Sequence, residues 1–304
     1  MLGEIFYWVF NMSLAATICM IPVFLLRFIR KIPRRFFVWL WLIPFFRLCI
    51  PVMFSSKYGI MALISKFATK TITVYKFYDG PDLSSLNCVM LADSYFPVTY
   101  KVNVLENLFN IASVMWILVA VIAIVVVFVA YFITLAENKN ARNLDGKVYL
   151  SNKIKIPAVY GIIKPKIIIP VEYEKENLNY ILMHEMAHAK RKDNLRRLLA
   201  LIIVCFHWFN PFAWLLLRMV YSDIELACDE TVLSKCNETQ RKEYANALLL
   251  TAEKTNIFAS AFGGAKIKNR IENILSYRKL TFLSIVASSA LIITIAYLLL
   301  TNAE

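Results

Sequence analysis

His184-Glu185-Met186-Ala187-His188 sets two imidazoles four residues apart with a carboxylate between them. On a helix, residues i and i+4 sit one above the other, so both rings can reach a single ion. Imidazole nitrogen suits zinc, and the spacing is that of metalloproteases in which the intervening Glu acts as general base. The chain holds only three histidines, the third being His207. An amphipathic helix with surface histidines is the plainer alternative. The flanking Ile181, Leu182, Met183, Met186 and Ala187 argue against it, because buried imidazoles need partners. The spacing predicts a zinc site with His184 and His188 as ligands and Glu185 as the base.

A catalytic zinc takes three protein ligands and keeps a fourth position for water. Glu225-Leu226-Ala227-Cys228-Asp229-Glu230 offers the third. Glu225 and Asp229 are four apart on a second helix, so one carboxylate can bind metal while the other accepts the free N–H of a ligating imidazole. Glu225 is the expected ligand and Asp229 its supporting partner. Asp229, Glu230 and His207 are the alternative third ligands. Cys228 is read as a small buried side chain whose direction differs from that of Glu225. Tyr244, on an amphipathic helix beginning near Arg241, has the chemistry to polarise a scissile carbonyl, but a tyrosine there suits the core better. Asn143-Leu144-Asp145-Gly146 reads as a turn.

These residues must be held by a chain that is 59% hydrophobic, with a mean hydropathy of +0.58, too apolar for a soluble domain. The apolar surplus lies in long runs at 5–26, 36–54, 108–135 and 280–300, which predicts four membrane spans. Pro44, Arg47 and Pro51 interrupt the second run. Arg27, Arg30, Lys31, Arg34 and Arg35 crowd the first short loop, which places it in the cytoplasm. The expected arrangement is a multi-pass cell-membrane protein with both termini outside. Residues 1–54 hold two spans, 55–106 an outside loop and 107–135 the third span. Residues 136–279 form a cytoplasmic protease domain, and 280–304 the fourth span. Most of the Lys and Arg fall in 136–279, so the net charge of +13 is explained by positive-inside segments lying on anionic lipid rather than by nucleic acid. Of the six cysteines only Cys88 falls in the outside loop, which excludes a disulfide within it.

In the protease domain, Val148-Tyr149-Leu150 and Ile167-Ile168-Ile169 read as short strands of an antiparallel sheet, separated by a loop with Pro157, Gly161 and Pro165. Residues 198–220 are apolar enough for a fifth span. Were they to cross, however, Glu225 would emerge on the opposite side from His184 and His188. The His207-Trp208-Phe209-Asn210-Pro211 break argues for a helical hairpin over 195–220, packed on the protease core and dipping into, or lying along, the cytoplasmic membrane surface. His207 is best read as a hydrogen-bonded histidine at that break.

HEMAHAKRKD at 184–193, HWFNP at 207–211 and ELACDE at 225–230 together resemble the membrane metallopeptidases of beta-lactam-sensing signal transducers. These are the regulators of beta-lactamase and methicillin-resistance genes. Phe262-Gly263-Gly264 and Arg270-Ile271-Glu272-Asn273-Ile274 extend the resemblance over nearly the whole chain. It implies a gluzincin-type α+β zinc protease domain set between the third and fourth spans, with His184, His188 and Glu225 as ligands and Glu185 as base. It also implies a cytoplasmic protein substrate, a transcriptional repressor or the chain itself. Antibiotic-sensing members carry a penicillin-binding domain after the last span. The sequence here ends at Glu304, so the expectation is either a truncated transducer or a member that receives its signal through 55–106 or a separate sensor protein. A second copy of the chain and the lipid bilayer complete the expected partners. Two further readings stand beside this one: a quality-control membrane protease of the heat-shock or prenyl-protein type, and a non-catalytic signal relay. Self-cleavage is expected between Ala259 and Gly264, where small residues suit an extended segment.

Overall fold

A computed structural model describes residues 2–29, 32–51, 54–64, 102–154, 156–171, 178–253, 267–279 and 281–302. Most of the 55–106 loop, Cys88 and the Ala259–Gly264 stretch lie outside the described residues. Three described helices are long and apolar enough to cross a membrane: Leu2–Leu26, Leu108–Glu137 and Phe282–Leu300. The first is α1, the second most of α4 (Val102–Glu137), and the third α10.

The second apolar run departs from expectation. It forms two short helices, α2 (Arg34–Leu40) and α3 (Leu42–Cys49), that meet at Trp41. Pro44 lies in the first turn of α3, where its missing N–H costs little, but it cannot continue a helix arriving from α2. Arg47, the charge within this run, is fully buried. Its Nε donates to the Leu299 carbonyl at 3.0 Å and one terminal nitrogen to the Thr301 carbonyl at 2.7 Å. It thereby satisfies carbonyls that the end of α10 leaves without helical partners.

Strands β1 (Arg142–Asp145), β2 (Val148–Ser151), β3 (Ala158–Tyr160) and β4 (Lys166–Pro170) form one sheet in the order β1-β2-β4-β3. The sheet is mixed, which corrects the antiparallel expectation: β2 and β4 pair parallel, with Leu150 opposite Ile169. The cause is an extra strand. Residues read as a loop contain β3, which pairs antiparallel with β4 after a turn at Gly161, whose φ is +87°. Leu150, Ile167 and Ile169 pack against Ile181, which seats the helix α5 (Leu178–Arg191) on the sheet.

After α5 come α6 (Asp193–Phe206) and α7 (Pro211–Leu233), then α8 (Glu238–Glu253) and α9 (Ile267–Leu275). The apolar stretch at 198–220 is thus broken at 207–210. Asn210 caps α7, its side-chain oxygen accepting the Phe212 N–H at 2.9 Å, and Pro211 takes the first helical position. The Asn210 amide donates to Ser13 Oγ at 2.7 Å and Thr17 Oγ1 at 3.0 Å, in the middle of α1. His207 Nε2 lies 2.9 Å from the Leu48 carbonyl, and Trp116 Nε1 donates to the Phe206 carbonyl at 2.7 Å. The hairpin packs on α1, α2, α3 and α10 in one apolar cluster rather than on the sheet. Ala200, Val204, Leu216, Val220 and Ile224 are among the residues it contributes. Because α6 and α7 are antiparallel, the chain returns to where it started, and Glu225 comes back beside α5.

Candidate metal centre

The site forms where α5 lies against α7. His184, Glu185 and His188 are all buried on α5. The Nε2 atoms of His184 and His188 approach to 3.1 Å, with the rings perpendicular. Glu225 completes the triangle, one oxygen 3.6 Å from His184 Nε2 and the other 3.6 Å from His188 Nε2. Two donors on a tetrahedral zinc, with bonds of about 2.0–2.1 Å, stand about 3.3 Å apart. Two imidazoles and a carboxylate at these separations fit such an ion with one position left over.

Each imidazole is aimed by its other nitrogen. His184 Nδ1 lies 2.9 Å from Tyr244 Oη and 3.3 Å from an Asp229 oxygen, while Tyr244 Oη donates to that oxygen at 2.6 Å. His188 Nδ1 lies 2.8 Å from Asp193 Oδ2. Carboxylates at both Nδ1 positions hold the proton there and leave each Nε2 lone pair facing the centre. Asp193 escaped the sequence reading because it lies five residues beyond His188, on another side of any continuous helix. The helix is not continuous. Lys192 adopts a left-handed conformation, φ +56°, and this turn swings Asp193 back to the ring.

Arginines surround the acids. Arg197 binds Glu225 through a terminal nitrogen, and Arg270 lies 3.5 Å from its other oxygen. Burial alone would raise the Glu225 carboxyl, but the nearby His188 and Arg197 hold it well below the usual carboxylate range. Asp229 is likewise desolvated, and Arg270 outweighs that to bring it down to about 2. Glu185 behaves differently. Burial pushes its carboxyl up from 4.5, opposed by His184 and His188. A carboxyl raised toward neutrality is suited to exchange protons rather than to stay charged.

Three residues take places the sequence reading did not give them. Cys228 joins His184 and His188, its sulfur and their ring nitrogens all lying within 4.8 Å of one another. The spacing Glu225 to Cys228 is i+3, which keeps both near one helical face after all. Tyr244 is a partner of His184 and Asp229 rather than plain core. Glu230 faces away from the centre, accepting the Arg34 and Arg35 backbone N–H groups at 2.8 and 3.1 Å at the start of α2.

A family model for the BlaR1 peptidase M56 matches residues 7–274 of the 304. The chain belongs to the M56 peptidase family. The matched span contains both α5 and α7, the helices of the centre. The regulatory protein BlaR1 of Bacillus licheniformis is 31% identical over 161 residues, covering 49% of this chain and 27% of that protein. The methicillin resistance mecR1 protein of Staphylococcus aureus strain Mu50 is 30% identical over 138 residues, covering 42% and 24%. BlaR1 of Staphylococcus aureus is 26% identical over 199 residues, covering 56% and 34%. The matches thus span about a quarter to a third of the length of these M56 relatives.

Proposed function

We propose that this M56 protein is a membrane-embedded zinc endopeptidase. In this reading it cleaves a cytoplasmic protein, a repressor or the chain itself, as a step in transmembrane signalling. The observation that carries the reading is the convergence of His184 Nε2, His188 Nε2 and Glu225 at 3.1–3.6 Å, with both Nδ1 atoms held by carboxylates. His184, His188 and Glu225 would hold the ion. When bound, zinc supplies Lewis-acid polarisation of a peptide carbonyl and an acidified water. Glu185 takes a proton from the attacking water and returns it to the leaving amine, and its burial suits it to both roles. Asp229, Tyr244 and Asp193 keep the imidazoles oriented.

The membrane part of the proposal keeps four spans, the second made of α2 and α3 together. It faces the gluzincin-type protease domain to the cytoplasm and both termini outward. The names of the relatives support a regulatory role; a repressor substrate and a separate sensor are the partners it would use. The experiment compares wild type with Glu185→Gln in membranes of expressing cells. Mass spectrometry should find a fragment ending between Ala259 and Gly264 in wild type and at least a hundredfold less in Glu185→Gln, the scale of general-base catalysis. Equal fragment in both would refute catalysis by this site.

A further inference from the structure

Helix α9 carries Ile267, Ile271 and Ile274 along one side, which packs on Val232 and Leu233 at the end of α7 and on Tyr244 and Leu248 in the middle of α8. Arg270 is three residues from Ile267 and four from Ile274, so it belongs to this same buried face. A guanidinium in an apolar stripe needs strong partners. It finds them at the metal centre. Arg270 Nε donates to Asp229 Oδ2 at 2.8 Å and a terminal nitrogen to Oδ1 at 2.7 Å, a two-pronged grip on a carboxylate with no solvent exposure. Its other terminal nitrogen lies 3.5 Å from Glu225, and the first reaches to 3.3 Å from His184 Nε2.

We propose that Arg270 is a positioning residue of the metal centre. Its fork fixes Asp229 against the Nδ1 side of His184, so the ligand set is complete only while α9 is docked. This rests on the zinc reading above. The ligands come from α5 and α7, yet without the fork Asp229 would be held at Oδ1 alone. Tyr244 contributes one donor to one oxygen; among the described residues only Arg270 engages both. The planar fork is what lysine lacks. Helix α9 is also the segment that leads through residues 276–281 into α10. Movement of α9 away from the core would therefore take the fork off Asp229 and leave that carboxylate to Tyr244, while Arg197 keeps Glu225.

The test uses the detergent-purified full chain and Zn2+ titrated against a chromophoric chelator. Arg270→Gln should weaken zinc binding by about 10–100-fold, the usual cost of losing a group that orients a ligand. Arg270→Lys should recover part of it. In an Asp229→Asn background, the same Arg270→Gln change should have little further effect, because the arginine acts through that carboxylate. Melting curves in chelator identify variants that fail to fold, in which case Arg270→Lys alone carries the comparison. Unchanged or tighter zinc binding in Arg270→Gln, or an equal loss with and without Asp229, would overturn the proposal. Wild type that binds no zinc would remove the zinc reading itself; wild type that binds zinc with Arg270→Gln unaffected would remove only this inference.

Discussion

At the scale of single residues, the proposed centre sets protons against an ion. Burial lowers the imidazole of His184, but Cys228, Tyr244 and the Asp229 bond outweigh it and raise the pKa well above 6.5. His188 follows, with Glu225, Cys228 and Asp193 overcoming burial. A folded pKa above the unfolded one contributes stability below the unfolded value, which is lost as pH rises through the folded value. The metal-free protein should thus melt at lower temperature as pH rises above about 6.5. Zinc needs both Nε2 lone pairs, so its occupancy should change the opposite way and fall as pH drops through the raised values. Melting curves with chelator and with zinc across this window check both signs. Metal-free protein that became more stable with rising pH would contradict the imidazole assignment. The types and spacing of His184, Glu185, His188, Glu225 and Asp229 were legible without coordinates, because a helix repeats on a fixed angle. Asp193 and Arg270 were not: one reaches its ring across a helix break and the other arrives from a separate helix, and neither follows from a local period.

At the scale of elements, the hairpin of α6 and α7 decides whether a single ion can be held at all. Helix α6 has 14 residues, about 21 Å of travel, and α7 retraces it. The reversal at 207–210 rests on Asn210, which caps α7 and ties the turn to Ser13 and Thr17. Asn210→Ala loses a cap, about 1 kcal/mol, and buried hydrogen bonds at about 1 kcal/mol each. The melting temperature should fall, and Asn210→Asp, which keeps the cap but not the amide donor, should lie between. An Asn210→Ala variant that melts like wild type would show that apolar packing and the His207 and Trp116 hydrogen bonds hold the turn without Asn210. The break itself was readable from His207, Asn210 and Pro211. That the sheet is mixed was not, because β3 is only three residues long and sits among prolines and a glycine that read as loop.

At the scale of the whole molecule, buried charged residues join the parts. Arg27 pairs with the buried Asp223 at 3.1 Å, and Trp41 Nε1 donates to the same carboxylate at 2.7 Å, binding the ends of α1 and α2 to α7. Glu230 binds the start of α2, and Arg47 the end of α10. Some of the basic charge assigned to lipid contact is therefore neutralised within the fold. Hydropathy located the apolar runs, but it treats Arg47 only as an interruption, since its partner is about 250 residues away in sequence. These contacts hold α7 against α1 and α2, and so hold Glu225 where α5 can meet it. The most direct measurement is the zinc content of the purified full chain. About one zinc per chain is expected in wild type and in Glu185→Gln, with loss of the metal in His184→Ala, His188→Ala and Glu225→Ala. Metal retained by the three ligand variants, or absent from wild type prepared without chelator, would contradict the assignment of this centre.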